Sequence, residues 1–212
     1  MADSAEHLRD LTPKGRATRD RVVAAAADLM YEQGVAATSL QDVQQASRVS
    51  GSQMYHYFPD KASLVRAVAA RQGEATLGQQ EPWLSRLDST AGLRSWRDYL
   101  VSAMQRRECH GGCRIGTMAG EVSDTDPAAR AELAGAFGSW SRSMRDGLQA
   151  MADRGQLAPG ASPARLADAL LAAAQGGLLL AKCTRDVTVL ENALDVVIDQ
   201  VESLTATSRA AE

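Results

Sequence analysis

The sequence predicts an all-α protein, and three observations carry that expectation. Apolar residues recur at three- and four-residue spacing along most of the chain, and strand-type alternation persists nowhere. The composition, 45 % apolar with only 4 % aromatic residues and an abundance of alanine, suits packed helices better than a sheet. Capping residues (Ser, Thr, Asp) precede the periodic runs, and Gly or Pro follows them.

Each element can be justified in turn. The first helix covers about 17–33: Val22, Val23, Ala26, Leu29 and Met30 share a face, and Gly34 stops it. Arg19, Arg21 and Asp28 form the opposite face and are expected to be wet. Thr38 or Ser39 caps a short second helix with Leu40, Val43 and Ala46 inward. Ser47-Arg48-Val49 makes a tight turn, with Val49 as a buried plug. Ser50 then caps a third helix, about 51–57, backed by Met54, Tyr57 and Phe58. Pro59-Asp60 opens a fourth, striped by Leu64, Val65 and Val68.

Asp88-Ser89-Thr90 starts a helix to about 108 carrying Leu93, Trp96, Leu100 and Met104. The break His110-Gly111-Gly112 precedes a short piece at about 114–121. Asp126-Pro127 pairs a cap with an N1 proline and opens a long helix to about 154, with Leu133, Phe137, Trp140, Met144 and Leu148. Ser162-Pro163 repeats that signal for a helix at about 163–183, and a final helix at about 187–205 follows.

At 212 residues the chain has room for one large or two small domains. Charge is unevenly spread over it. Residues 14–71 hold eight Lys/Arg against five Asp/Glu, a balance of +3, while 78–212 hold 14 against 17, a balance of −3. No run of about 18 uninterrupted apolar residues exists, and the N-terminus is polar and acidic. The expectation is a cytoplasmic protein with no membrane partner. Cys109, Cys113 and Cys183 make no disulfide framework in a chain of this size. The three-residue gap between Cys109 and Cys113, with no evident fourth ligand, argues against metal. Arg106, Arg107 and Arg114 nearby are instead expected to lower a thiol pKa there.

Two short helices with a tight turn, the second polar at its front and aromatic behind, have the layout of a helix-turn-helix. In that motif one helix buttresses and the next enters the DNA major groove. The basic front of the chain fits such a partner.

The residues from Thr38 to Leu64, T-S-L-x-x-V-x-x-A-x-x-V-S-x-x-x-x-Y-x-Y-F-x-x-K-x-x-L, resemble the TetR family of transcriptional regulators. The resemblance covers about 14–70 at motif level and extends beyond only in helix count and length. It implies an N-terminal helix-turn-helix head at 14–76 and a C-terminal helical bundle at 77–206 for ligand binding and dimerisation. Thr38, Ser39 and the amides of the second helix would face a phosphate, as would Lys61. Ser50, Gly51, Ser52 and Gln53 would face the groove floor, with Gln53 able to pair bidentately with adenine. Tyr55 and His56 would contact the backbone. Lys14 and Arg16 would form a basic arm ahead of the first helix. Two residues depart from the family pattern: Arg48 and Ser52 stand where glycine is usual, so operator preference cannot be borrowed. A non-glycine residue in the left-handed turn costs about 1 kcal/mol, which Arg48 can recover on a phosphate.

For the bundle, the expected pocket residues are Trp96, Tyr99, Met104, Met118, Phe137, Trp140 and Met144, with Cys113 as an electrophile-sensing candidate. The expected dimer residues are Leu170, Ala174, Gly177 and Leu178, then Leu194, Val197, Ile198 and Val201. The function implied is a homodimeric repressor without cofactor or metal, released from a palindromic double-stranded operator by a small apolar or electrophilic effector. Two alternatives stay open, an activator and a helical ligand- or protein-binding module without specific DNA binding. An enzyme fits poorly, because only His7, His56 and His110 are present and no nucleophile or phosphate-loop motif occurs.

Overall fold

A computed structural model describes residues 11–209, with side chains described to residue 205. The polar N-terminal segment and His7 lie outside the described residues. The helices are α1 (Pro13–Gln33), α2 (Leu40–Ser47), α3 (Gly51–Tyr57), α4 (Lys61–Leu84), α5 (Thr90–Gln105), α6 (Arg114–Val122), α7 (Pro127–Asp153), α8 (Pro163–Thr184) and α9 (Thr188–Arg209). No strand occurs among the described residues, so the all-α reading stands.

The chain divides into two compact units. Among the described residues, one comprises 11–72 together with Thr117–Leu133; the other comprises Gly73–Gly116 and 134–209. The sequence placed the break at 76/77 and assigned 117–133 to the body. In that segment the Glu121 carboxylate accepts the Val35 N–H at 2.7 Å, a tie to the loop after α1.

In the first unit α1 starts earlier than the periodicity suggests. Thr12 is its N-cap, accepting from the Gly15 N–H, and Pro13 occupies N1. Lys14 and Arg16 therefore lie in the first helical turn and are not an arm preceding it, which corrects the expectation. Arg19 is also not fully wet: its guanidinium lies 5.2 Å from the Phe58 ring centroid, and burial pushes its pKa down. Gly34 ends α1 at φ 92°, donating to the Met30 carbonyl. Side chains rarely adopt that conformation, and a Cβ there would also crowd Glu121 at 3.2 Å. On α2 the inward face is Val43 and Ser47, not Ala46, which is exposed. The Ser47 hydroxyl is satisfied by donating to the Val43 carbonyl at 2.6 Å, and the Ser47 carbonyl accepts Arg21 Nε at 3.0 Å.

Arg48 takes the left-handed conformation the turn demands, φ 54° and ψ 41°. Exchanging Arg48→Gly is expected to raise stability by up to about 1 kcal/mol, the strain relieved less the extra unfolded-state entropy of glycine. Urea unfolding checks this; equal or lower stability would mean that the arginine is held by something other than turn geometry.

The second unit is built on one apolar cluster that includes Leu93, Trp96, Met104, Trp140, Met144, Leu170, Leu178, Leu190, Leu194 and Ile198. Helices α8 and α9 pack closely enough that a Cβ on Gly177 would lie 2.8 Å from Leu190 Cα. Arginines of α5 staple α9: Arg97 pairs with Asp195, and Arg94 reaches Glu202 at 2.7 Å and Asp199 at 2.8 Å. Hydrogen bonding from Arg94 holds the Glu202 carboxyl below its ordinary range. By length and composition α8 is apolar enough to cross a membrane, yet only about a third of its apolar stretch is buried within the chain. A search for uninterrupted apolar runs misses this, because Gln175 and two glycines divide the helix. The exposed remainder includes Leu179 and Leu180.

Candidate nucleic-acid interface and effector pocket

The nucleic-acid candidate is the outer face of α3. Ser50 caps the helix through a reciprocal box in which the Ser50 N–H donates to Gln53 Oε1 at 2.9 Å and the Gln53 N–H donates to Ser50 Oγ at 3.2 Å. Met54 and Phe58 are 1 % and 2 % exposed and anchor the inner side. That burial turns Ser52, Gln53, Tyr55 and His56 outward. Tyr55 is 61 % exposed, Ser52 Oγ lies 3.0 Å from Ser50 Oγ, and Gly51 is half-buried. A large phenol in water with no packing role is available for a partner. The capping box leaves the Gln53 amide nitrogen unused. Its carbonyl oxygen is engaged once, so a bidentate contact to adenine must share that oxygen or release the cap.

The approach to α2 differs from expectation. Ser39, not Thr38, is the N-cap, in a box with Asp42. Thr38 is 1 % exposed and its hydroxyl donates to the Gly34 carbonyl at 2.8 Å, so it is a loop clamp and is not offered to a phosphate. Hydrogen bonds from Ser39 hold the Asp42 carboxyl below its ordinary range, placing a negative charge at this helix start. Lys61 is half-buried in the first turn of α4, with its ammonium donating to the Ala36 carbonyl at 3.1 Å. Two of its three donor positions remain for a phosphate. Arg48, Lys14 and Arg16 are exposed. Glu121, which sequence reading missed, pins the same loop through the Val35 N–H; no local signal marks it, because its partner is 86 positions away.

The pocket residues behave differently. Trp96, Met104, Trp140 and Met144 are at most 1 % exposed: without a ligand they fill the core, and none of them lines an open space. Trp96 Nε1 donates to Gln80 Oε1 at 2.9 Å, and the Trp96 and Trp140 rings meet edge-on at 6.4 Å between centroids. Tyr99 stacks on Trp83 at 3.9 Å, and Phe137 is partly buried against the cluster. Met118 is buried and belongs to the first unit. The open cavity in the second unit, about 580 Å³, is lined by α4, the turn after it and α7, including Leu77, Glu81, Leu84, Leu87, Asp146 and Gly147. None of the expected residues lines it.

Cys113 is also corrected. Burial is the largest influence on its thiol and pushes the pKa up, outweighing the Gly116 N–H bond and Arg107. A thiol held protonated is a poor nucleophile toward electrophiles.

The expected dimer residues lie mostly on the wrong face. Leu170, Ala174, Leu194, Ile198 and Val201 are 0 % exposed and Leu178 is 4 % exposed; Gly177 packs on Leu190 of the same chain. Only Val197 is partly open. The apolar side chains left to solvent are Leu179 (61 %), Leu180 (49 %) and Val196 (70 %).

Comparison with known proteins places these features in context. Residues 89–197, just over half of the chain, match the description "Tetracyclin repressor-like, C-terminal domain", and residues 22–68 match "Bacterial regulatory proteins, tetR family". An uncharacterised HTH-type transcriptional regulator from the lacX 3′ region of Lactococcus lactis subsp. lactis is 29 % identical over 193 residues, covering 89 % of this chain and 95 % of that protein. An uncharacterised HTH-type regulator of Mycobacterium tuberculosis strain CDC 1551 is 30 % identical over 187 residues, covering 82 % and 88 %. A crystal structure of a TetR transcriptional regulator from Chloroflexus aurantiacus J-10-FL superposes with a TM-score of 0.77 at 27 % identity, covering 90 % of this chain and 97 % of that one.

Proposed function

The chain belongs to the TetR family of bacterial transcriptional regulators, and we propose that it acts as a homodimeric repressor which a small-molecule effector releases from its operator. It is a DNA-binding regulator and not an enzyme. The observation that carries the proposal is the solvent-facing α3 edge, Ser52, Gln53, Tyr55 and His56, held rigid by Met54 and Phe58 beneath it. A preformed polar helix face of that size suits groove readout, with phosphate contacts from Arg48, Lys61 and the start of α1 setting register. A DNA partner puts the protein in the cytoplasm.

The apolar side chains exposed on α8 and α9 support the dimeric part of this reading. Two recognition helices one duplex turn apart, about 34 Å, are most simply supplied by two-fold symmetry. The residues to cover are Leu179, Leu180 and Val196, together with the small outward positions Ala169, Ala172 and Gly176 of α8. An aspartate pair, Leu179→Asp with Val196→Asp, is expected to give a folded monomer in sedimentation velocity and to weaken operator binding. A dimer that survives both changes would rule out this face.

The effector acts by preferring one of two states of the protein, and couplings of about 1–3 kcal/mol are typical of such switches. The reading is tested by selecting operator sequences from a random duplex pool at a stated salt concentration, then measuring affinity by fluorescence anisotropy. Recovery of a palindromic consensus supports a dimeric reader; enrichment of no sequence would favour a helical module without specific DNA binding.

A further inference from the structure

Two buried N–H donors in the second unit have no hydrogen-bond acceptor, Trp140 Nε1 and Gln175 Nε2. Trp140 is 1 % exposed. An unmet buried donor is costly, and few are retained without a reason. The Trp96 ring beside Trp140 is at best a weak acceptor, and the Cys113 thiol near the Gln175 amide is another. The space beside that amide is tight on its oxygen side, where a Cβ on Gly116 would meet Gln175 Oε1 at 2.6 Å. The two donors lie on neighbouring helices. Ser141, next to Trp140 on α7, donates to Asp168 of α8 at 3.3 Å. Gln175 lies seven residues further along α8, about 10 Å at the helical rise of 1.5 Å per residue. The side chains at intermediate levels, Phe137 and Leu171, are only partly buried against the core, so they yield more cheaply than its centre.

We propose that Trp140 Nε1 and Gln175 Nε2 are the polar anchors of the effector site, and that the effector is a neutral, elongated apolar molecule with a carbonyl-type acceptor at each end. This rests on the effector-controlled reading above. Both groups donate, so the ligand must accept. Around Trp140 the packing is apolar apart from the Gln80 amide, whose oxygen is taken by Trp96, so an ionised group at that end would enter without a compensating charge. The apolar middle replaces Phe137 and Leu171 contacts, while the ends satisfy one donor that has no acceptor, Trp140 Nε1, and one that has at most the weak Cys113 sulfur, Gln175 Nε2.

The test uses two probes of nearly equal shape, 4,4′-diacetylbiphenyl and the hydrocarbon 4,4′-diisopropenylbiphenyl, with binding measured by titration calorimetry on the full chain. The diketone is expected to bind at least tenfold more tightly than the hydrocarbon, and Trp140→Phe and Gln175→Leu are each expected to cut that preference about tenfold. Gln175→Leu has a second signature: its empty-state melting temperature should equal or exceed wild type, because an unmet amide is removed, while the diketone-induced rise shrinks. Equal binding of the two probes, binding of neither, or an undiminished preference in both variants would overturn the assignment. Operator binding measured alongside separates the levels. Retained operator binding without diketone preference overturns the donor assignment alone; diketone preference without operator binding supports the donor pair and overturns the regulator reading.

Discussion

Replacing Trp96 with alanine is expected to cost the protein about 3–5 kcal/mol, the range for deleting a large buried aromatic side chain. That is a large share of the roughly 5–15 kcal/mol by which folded proteins exceed their unfolded chains. Trp96 is 0 % exposed, meets Trp140 edge-on and donates to Gln80 Oε1. Truncation empties a ring-sized space between α5 and α7 and also leaves Gln80 Oε1 without its donor, in a side chain that is 4 % exposed and keeps only its Nε2 bond to the Thr76 carbonyl. Trp96→Phe separates the two contributions. It keeps most of the volume but still strands Gln80, so it should lose about 1–3 kcal/mol. Thermal unfolding followed by calorimetry reads both variants. An alanine variant that melts within a few degrees of wild type would show that the cluster collapses around the gap or was never tightly packed.

The second large effect concerns Gln53, which does two jobs. Its side-chain oxygen closes the α3 capping box, and its amide nitrogen faces outward for a base edge. Gln53→Glu divides those jobs, because glutamate at the third helical position keeps the box but cannot donate and brings a negative charge to the phosphates. Stability should stay within about 0.5 kcal/mol, as for surface changes that keep their local bonds. Operator affinity should fall at least about 100-fold, the loss of one bidentate contact worth about 1–3 kcal/mol plus charge repulsion. Tyr55→Ala, at a 61 % exposed position, is expected to weaken binding with an unchanged melting temperature. If Gln53→Glu binds operator as wild type does, this edge of α3 does not face the bases.

Much of the fold was legible because caps and periodicity are local. Asp126-Pro127 and Ser162-Pro163 marked the starts of α7 and α8, and Ser50 marked α3. The same cap-plus-proline signal stands at Thr12-Pro13, but the apolar repeat begins only near Val22, so periodicity alone starts α1 late and puts Lys14 and Arg16 ahead of it. The outward face of α3 was legible for the same local reason: Met54, Tyr57 and Phe58, spaced three and four apart, share the inner side, and Ser52, Gln53, Tyr55 and His56 turn away from it. Long-range choices were not legible. Helices α8 and α9 carry apolar residues around more than one face, and spacing alone cannot say which stripe meets the chain's own core. Gly177, Leu194 and Ile198 turned out to serve that core, leaving Leu179 and Val196 outside. Trp and Met at helical spacing gave no sign whether they line a space or fill one, and here Trp96, Met104 and Met144 fill it. The Thr38 hydroxyl looked free until the chain folded the Gly34 carbonyl against it.

Hydroxyl-radical footprinting on the selected operator tests the central claim most directly, since it reads where the protein sits on the duplex without any variant. If two copies of this chain present their α3 edges together, protection should fall in two symmetric patches on one face of the DNA, centred about 10 base pairs apart or a whole multiple of that. Mirror-related patches with that spacing would match the geometry. A single unsymmetric patch, or uniform weak protection along the fragment, would contradict it.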